Sequence, residues 1–345
     1  MSHDMTVLKR LLWMVLTLCA LAGGPVFAAD APPATAADQA LRQQSQPLNN
    51  APVWREVRSG EQHYTTVQGV ETGVLIQSGG QTWRALRNGP LMLYGGIAFC
   101  AMLVLLAVFF KLRGPIRLSE AKTGRMIQRF NTMERMSHWA MAISFCVLMV
   151  SGLVMLFGKH VLLPVFGYSL FAIVALVCKN IHNFVGPVFI LSVLLFIVLF
   201  VKDNVWQAID ALWIRKAGGL LTGEHVPSHR FNFGEKTWFW LGVVFLSLTV
   251  GISGLVLNFP NFEQGRAIMQ TANIIHLIGG LIVMTLSLAH IYIGSIGMEG
   301  ALDGMKTGYV DETWAKEHHE LWFDAAKKAQ PAEKPAGSMP APARV

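Results

Sequence analysis

The sequence predicts an all-α integral membrane protein: a four-helix transmembrane bundle preceded by one additional N-terminal transmembrane helix and, before that, a cleaved signal peptide. Three observations carry this. The 345 residues are 53% hydrophobic and only 14% charged, whereas a soluble domain carries about a quarter charged residues. The apolar excess sits in uninterrupted blocks, and mean hydropathy is +0.44. Five of those blocks approach the ~20 residues a helix needs to cross ~30 Å of hydrocarbon, and strongly basic loops alternate with loops that carry little charge.

At the N-terminus, Lys9 and Arg10 precede the apolar stretch Leu11 to Leu21. Gly23, Gly24 and Pro25 follow, then Val26-Phe27-Ala28-Ala29. A basic start, a short apolar core and a small-residue end define a signal peptide over residues 1–29 rather than a retained anchor. Residues 30–90 read as periplasmic: an Ala-, Pro- and Gln-rich linker to about residue 50, then a weakly alternating appendage. The additional helix is expected at residues 91–110, a basic linker at 111–136, the bundle at 137–300 and a tail at 301–345. The five spans run Leu91–Phe110, His138–Phe157, Asn180–Val201, Thr237–Phe259 and Asn273–Gly297. The apolar segment Val161–Cys178 is interrupted by Pro164 and Gly167 and ended by Lys179. It reads as a periplasmic surface or re-entrant element rather than a sixth span.

Orientation follows from the loops. Seven basic residues lie between Lys111 and Arg135, and five between Lys202 and Lys236. Lys306, Lys316, Lys327 and Lys328 follow the last span. The loop before the third span holds Lys159 and Lys179, and the loop before the fifth holds only Arg266. The basic loops are expected in the cytoplasm, which agrees with a secreted N-terminus followed by five crossings of a bacterial inner membrane. The same arrangement accounts for the net charge of +7 without nucleic acid as a partner. The four cysteines (Cys19, Cys100, Cys146 and Cys178) form no C-x-x-C or C-x-x-C-H, so neither a zinc site nor covalently attached haem is indicated.

Four of the eleven histidines fall in the spans: His138, His182, His276 and His290. An ionisable side chain inside a membrane helix is costly and marks a functional site by default, although any single one could serve a helix–helix hydrogen bond or sit at the headgroup level. His276 and His290 are 14 residues apart on one helix. That places them within about 40° of the same face and about 21 Å apart along the axis. Depth then pairs His182 with His276 near the outer face and His138 with His290 near the inner. Two imidazoles on each iron would hold two haem b groups for electron transfer and leave no open position for chemistry. Gly152, Gly186, Gly254, Gly279 and Gly280 could let helices approach or make room for a flat macrocycle.

On these residues the chain resembles the gamma (cytochrome b556) subunit of respiratory formate dehydrogenase, within the hydrogenase-type b cytochromes. The resemblance spans roughly Arg129 to Phe323. It rests on RFNTMERMSHW around His138, NIHNFVG around His182, NIIHLIGG around His276, SLAHIYIG around His290 and the tail GALDGMKTGYVDETWAKEHHELWF. It implies that the four histidines ligate two b haems in the pairs given by depth. It also implies that electrons arrive from an iron–sulfur (beta) subunit and a molybdopterin formate dehydrogenase (alpha) subunit in the periplasm. Residues 1 to about 115 are absent from the four-helix form.

The resemblance also places a membrane quinone near the inner haem, beside Asn232, Gly234 and Glu235, with His290 serving both haem and quinone. Asn232 offers a donor and an acceptor, and Glu235 could pass protons. The same residues also suit an ordinary helix start, with Asn232 as cap and Glu235 complementing the dipole. His318 and His319 point about 100° apart on a helix and cannot easily share a metal, so the tail is expected to pack as an amphipathic element. No catalytic residue is assigned, since formate oxidation belongs to a partner. The nearest alternative is the same cytochrome serving a NiFe hydrogenase or another periplasmic oxidoreductase. A haem-free membrane anchor or transporter is the reading from another class.

Overall fold

Inside hydrocarbon every main-chain N–H and C=O must find its partner within the protein, so long apolar runs become helices. The structure is a computed structural model and describes residues 35–45, 51–60, 78–219 and 226–329. The expected signal peptide, parts of the linker and appendage, and the last residues of the tail lie outside the described residues. Two short helices, α1 (Ala36–Ser45) and α2 (Ala51–Ser59), come first. Helix α3 (Ser78–Leu86) passes through a π-helical turn into α4 (Met92–Arg113). The strand β1 (Met126–Gln128) follows, then α5 (Thr132–Val161), α6 (Leu163–Phe200) and the short α7 (Ala208–Arg215). Helix α8 (Phe233–Asn258) is π-helical from Trp238 to Ser247, and α9 (Arg266–Tyr292) ends in a π-helical turn to Gly297. The chain finishes with α10 (Ala301–Thr307), β2 (Tyr309–Asp311), α11 (Glu312–His318) and α12 (Glu320–Ala329).

Five helices among the described residues are long and apolar enough to cross a membrane: Gly79–Arg113, α5, Leu163–Asn204, α8 and Arg266–Gly297. Helices α5 and α6 form one hairpin, α8 and α9 another, and the two pack around Val193, Phe196, Phe200, Phe239 and Val243. The additional helix α4 lies against α9. A side chain at Gly95 would collide with Leu281, so glycine there permits the close approach. Further along, Phe109 and Phe110 meet Tyr292 edge-on, and Trp83 donates to Asn273 at 3.2 Å.

In the segment Val161–Cys178, Val161 ends α5, and from Leu163 the residues run into the third span as the first turns of the 38-residue α6, with no separate sixth span among the described residues. Pro164 falls in the first turn, where its missing N–H costs nothing. Gly167 takes φ 71°, bends the chain, and the helix resumes.

The basic linker and the tail are likewise more than connectors. Strands β1 and β2 pair antiparallel, with Ile127 opposite Val310, a small departure from an all-α fold. Ile116 is bonded to Gly297 and Glu299 at the end of α9. The Asp311 carboxylate accepts from the N–H groups of Thr123, Gly124 and Thr313 at 3.2, 2.7 and 2.8 Å. Ile127, Val310, Trp314 and Ala315 fill the small core beneath. The tail thus packs onto the bundle, as its amphipathic pattern predicts.

Candidate functional site

The four membrane histidines come together in two pairs. His138 on α5 faces His290 on α9, with ring centroids 6.5 Å apart. His182 on α6 faces His276 on α9 at 6.0 Å. The 14-residue spacing on α9 separates the two levels by about 21 Å.

The His182–His276 pair is held from behind. The Ser151 hydroxyl lies 2.8 Å from both the Val147 carbonyl and His182 Nδ1, and can accept the ring proton while donating to the carbonyl. His276 Nδ1 lies 2.9 Å from the Val250 carbonyl, which can only accept, with Ser253 Oγ at 3.3 Å. With the proton on Nδ1, as the Val250 carbonyl requires of His276 and the Ser151 hydroxyl allows for His182, both rings turn the Nε2 lone pair outward. Gly152 and Gly254 lie against the two rings: a Cβ there would stand 3.5 Å from His182 Cε1 and 3.0 Å from His276 Cε1. One turn beyond each histidine, a Cβ at Gly186 or Gly280 would meet nothing within 4 Å, so both positions face open space. Gly279 instead serves packing, with Val250 against it.

The His138–His290 pair is built differently. Trp238 stacks on His290 at 4.9 Å, and His138 Nδ1 is buried without a hydrogen-bond partner. A largely apolar cavity bordered by both histidines is lined also by Met141, Phe145, Phe189, Trp238 and Val243.

Below this pair, the starts of α5 and α8 carry matching caps. The Asn131 side chain accepts from Glu134 N while the Glu134 carboxylate accepts from Asn131 N; Asn232 and Glu235 do the same on α8. Of the residues expected near quinone, Asn232 therefore has its side-chain oxygen engaged as a cap. Gly234 lies against Trp213, and Glu235 is paired with Arg129 at 3.0 Å. Sequence reasoning finds the helix start but not the ion pairs around it. Arg129 also reaches His319 Nε2 at 2.9 Å. Arg230 pairs with Glu134 at 2.8 Å and Asp203 at 2.5 Å. Burial draws the Arg129 guanidinium below its ordinary value, against the pull of Glu235. His319 is buried, and its Nδ1 donates to the His229 carbonyl at 2.9 Å. Burial first, and Arg129 second, push its pKa down to about 3, so it is a neutral acceptor for Arg129. Lys236 and Asp210 form a further buried pair at 2.7 Å.

The sequence profile of prokaryotic cytochrome b561 matches residues 129–308, just over half of the chain and all four membrane histidines. The chain belongs to the prokaryotic cytochrome b561 family. Membership implies haem b and makes the chain a multi-pass membrane cytochrome b. It is similar to the formate dehydrogenase cytochrome b556(fdo) subunit of Escherichia coli K12, 29% identical over 206 residues that cover 59% of this chain and 94% of that one. The nitrate-inducible formate dehydrogenase cytochrome b556(Fdn) subunit of the same organism is 27% identical over 214 residues, 60% of this chain and 94% of its own. The formate dehydrogenase cytochrome b556 subunit of Haemophilus influenzae is 27% identical over 211 residues, 59% and 85% of the two chains. In this cytochrome b561-family chain, Ser151, Ser253, Trp238 and the paired arginines escape sequence reasoning. Serines within apolar spans were the available signal for the first two.

Proposed function

We propose that this chain is the membrane cytochrome b subunit of a formate dehydrogenase complex. In this reading it passes electrons from a periplasmic iron–sulfur and molybdopterin partner through two b haems to quinone on the cytoplasmic side. Its place is the bacterial inner membrane, with the mature N-terminus periplasmic after loss of residues 1–29 and the C-terminus cytoplasmic. The observation that carries the reading is the pair of facing histidine couples. An iron bonded to both rings at the ~2.0–2.1 Å usual for imidazole–metal bonds puts the ring centroids roughly 6.3 Å apart. The observed 6.0 and 6.5 Å bracket that distance. The outward Nε2 atoms of His182 and His276, the orphaned Nδ1 of His138 and the open space at Gly186 and Gly280 support the same fit.

Held by His182 with His276 and by His138 with His290, b haem supplies one-electron chemistry without an open coordination position. The chain's part is to fix the rings, exclude water and set the levels about 21 Å apart. Two electrons moved inward against the membrane potential store about 4.6 kcal/mol per 100 mV, which contributes to the proton-motive force. Asn232, Gly234 and Glu235, with His290, would border the quinone, where Asn232 retains an amide donor and the site is close to cytosolic water.

The test is spectroscopic. The purified complex should give sharp reduced b bands, two haems per chain, and full reduction by formate. Reduction by hydrogen and not formate would favour the hydrogenase alternative, and a colourless chain would defeat both.

A further inference from the structure

Two stretches of this chain repeat. Arg129-Phe130-Asn131 with Glu134 returns as Arg230-Phe231-Asn232 with Glu235, 101 positions later, and Ser151-Gly152-Leu153-Val154 returns as Ser253-Gly254-Leu255-Val256, 102 later. The one extra residue falls where α8, unlike α5, is π-helical from Trp238 to Ser247. A wider π-turn absorbs an inserted residue without breaking the helix. His182 follows Ser151 by 31 residues and His276 follows Ser253 by 23. The difference of eight lengthens the turn of the first hairpin, where α6 begins.

The contacts repeat as well, and they do so reciprocally. Arg129 Nη2 donates to the Arg230 carbonyl at 3.0 Å, and Arg230 Nη2 to the Arg129 carbonyl at 2.7 Å. Arg129 pairs with Glu235 and Arg230 with Glu134. Ser151 meets the His182 ring as Ser253 meets the His276 ring. Residue i touching j while its counterpart j touches i is the signature of a two-fold interface. Here both halves run in the same direction, as in parallel repeats related by an axis along the membrane normal.

This symmetry relates His182 to His276 and singles out the inner level. The counterpart of His138 is Phe239, 101 residues on, and the counterpart of His290 is Phe196, as far after His182 as His290 is after His276. The Phe196 and Phe239 rings lie 6.3 Å apart, against 6.5 Å for the histidines. The inner level thus holds two equivalent ring pairs, of which one is histidine.

We infer that residues 129–200 and 230–297 are two copies of one helical hairpin, and that the clasp joining them, Arg129 and Arg230, positions the inner histidine pair. The inference rests on the cytochrome reading above. Arg230 fixes Glu134 in the first turn of α5, and His138 follows one turn later. Arg129 fixes Glu235 in the first turn of α8, and Trp238, three residues on, stacks on His290. Each arginine therefore steadies the turn that leads to one ring of the inner pair. The outer pair has its own serine and glycine supports. A planar guanidinium can hold a carboxylate and the opposite carbonyl at once, which a lysine ammonium on its flexible stem does not reproduce.

The experiment is a redox titration with low-temperature electron paramagnetic resonance on the intact complex carrying Arg129→Gln, Arg230→Gln, Arg129→Lys or Arg230→Lys. Both glutamine variants should lower the inner haem potential and alter its low-spin signal, leaving the outer haem as a folded internal control. The lysine variants should recover potential but not signal. Full recovery of both by lysine would reduce the role to charge alone and overturn the positioning claim. Equal shifts of both haems, or no shift, would also overturn it. Absence of haem from the unsubstituted chain would instead sink the cytochrome reading.

Discussion

Trp238 lies flat against His290, with ring centroids 4.9 Å apart and planes only 14° apart, whereas His138 opposite meets Trp139 edge-on at 5.5 Å. The two members of this pair are steadied by unlike means, and the His182–His276 pair is steadied by hydrogen bonds instead. The two levels should therefore respond separately to substitution.

His182→Ala and His276→Ala should each remove one haem, and His138→Ala and His290→Ala should each remove the other. Haem content per chain should fall by about half in every case, since a bis-histidine site loses its iron ligation with either ring. Difference spectra check this. If loss of His138 and loss of His276 deleted the same haem, the pairing would be wrong.

Support from the serine side chains sets a second expectation. The acceptor behind a ligating imidazole raises its basicity, and losing one such bond is worth about 1 kcal/mol. Ser151→Ala should therefore raise the His182–His276 haem potential by roughly 40 mV, since about 59 mV corresponds to a tenfold change for one electron. Gly254→Ala should disturb that haem more than Gly152→Ala, because its Cβ would stand 3.0 rather than 3.5 Å from the ring. Potentiometric titration of the three single variants would show the order.

How far these features can be read from sequence depends on how local their signals are. The spans and the four histidines stand out because length and a lone ionisable group in an apolar run are local. Pro164 and Gly167 signal an interruption, and its form is legible only in the structure, where proline sits in the first turn of α6 and glycine bends a helix that continues. The Arg129–Glu235 and Arg230–Glu134 pairs join residues about a hundred positions apart, and no window of sequence contains them. Strands of three residues, Met126–Gln128 and Tyr309–Asp311, are too short to leave an alternation.

The buried His319 gives the tail a pH dependence. Its folded pKa of about 3 lies below its ordinary 6.5, so the undocked tail takes up the proton first. Docking is at full strength above about pH 6.5 and weakens as pH falls toward 3, by at most about 1.4 kcal/mol per unit. Asp311 and Glu312, both held below their ordinary values, act in the same direction only below about pH 4. Limited proteolysis within Glu312–Ala329 should be faster near about pH 5 than about pH 8, and His319→Gln should flatten the difference. An unchanged profile in that variant would place the titration elsewhere.

Asn232 carries two roles that substitution can separate. Its side-chain oxygen caps α8 by accepting from Glu235 N at 3.0 Å, so Asn232→Ala should cost about 0.5–2 kcal/mol of stability as a lost cap. Asn232→Asp keeps a capping oxygen at the favourable N-terminal end of the dipole and removes only the amide donor. If that donor serves a quinone carbonyl, the aspartate variant should fold normally and retain both haems reducible by formate. Haem reoxidation by quinone should then slow about tenfold, the equivalent of about 1.4 kcal/mol and close to the worth of one hydrogen bond. Stopped-flow reoxidation of the formate-reduced complex is the measurement. A wild-type rate in Asn232→Asp with a slow rate in Asn232→Ala would assign Asn232 to the helix cap alone and move the quinone elsewhere.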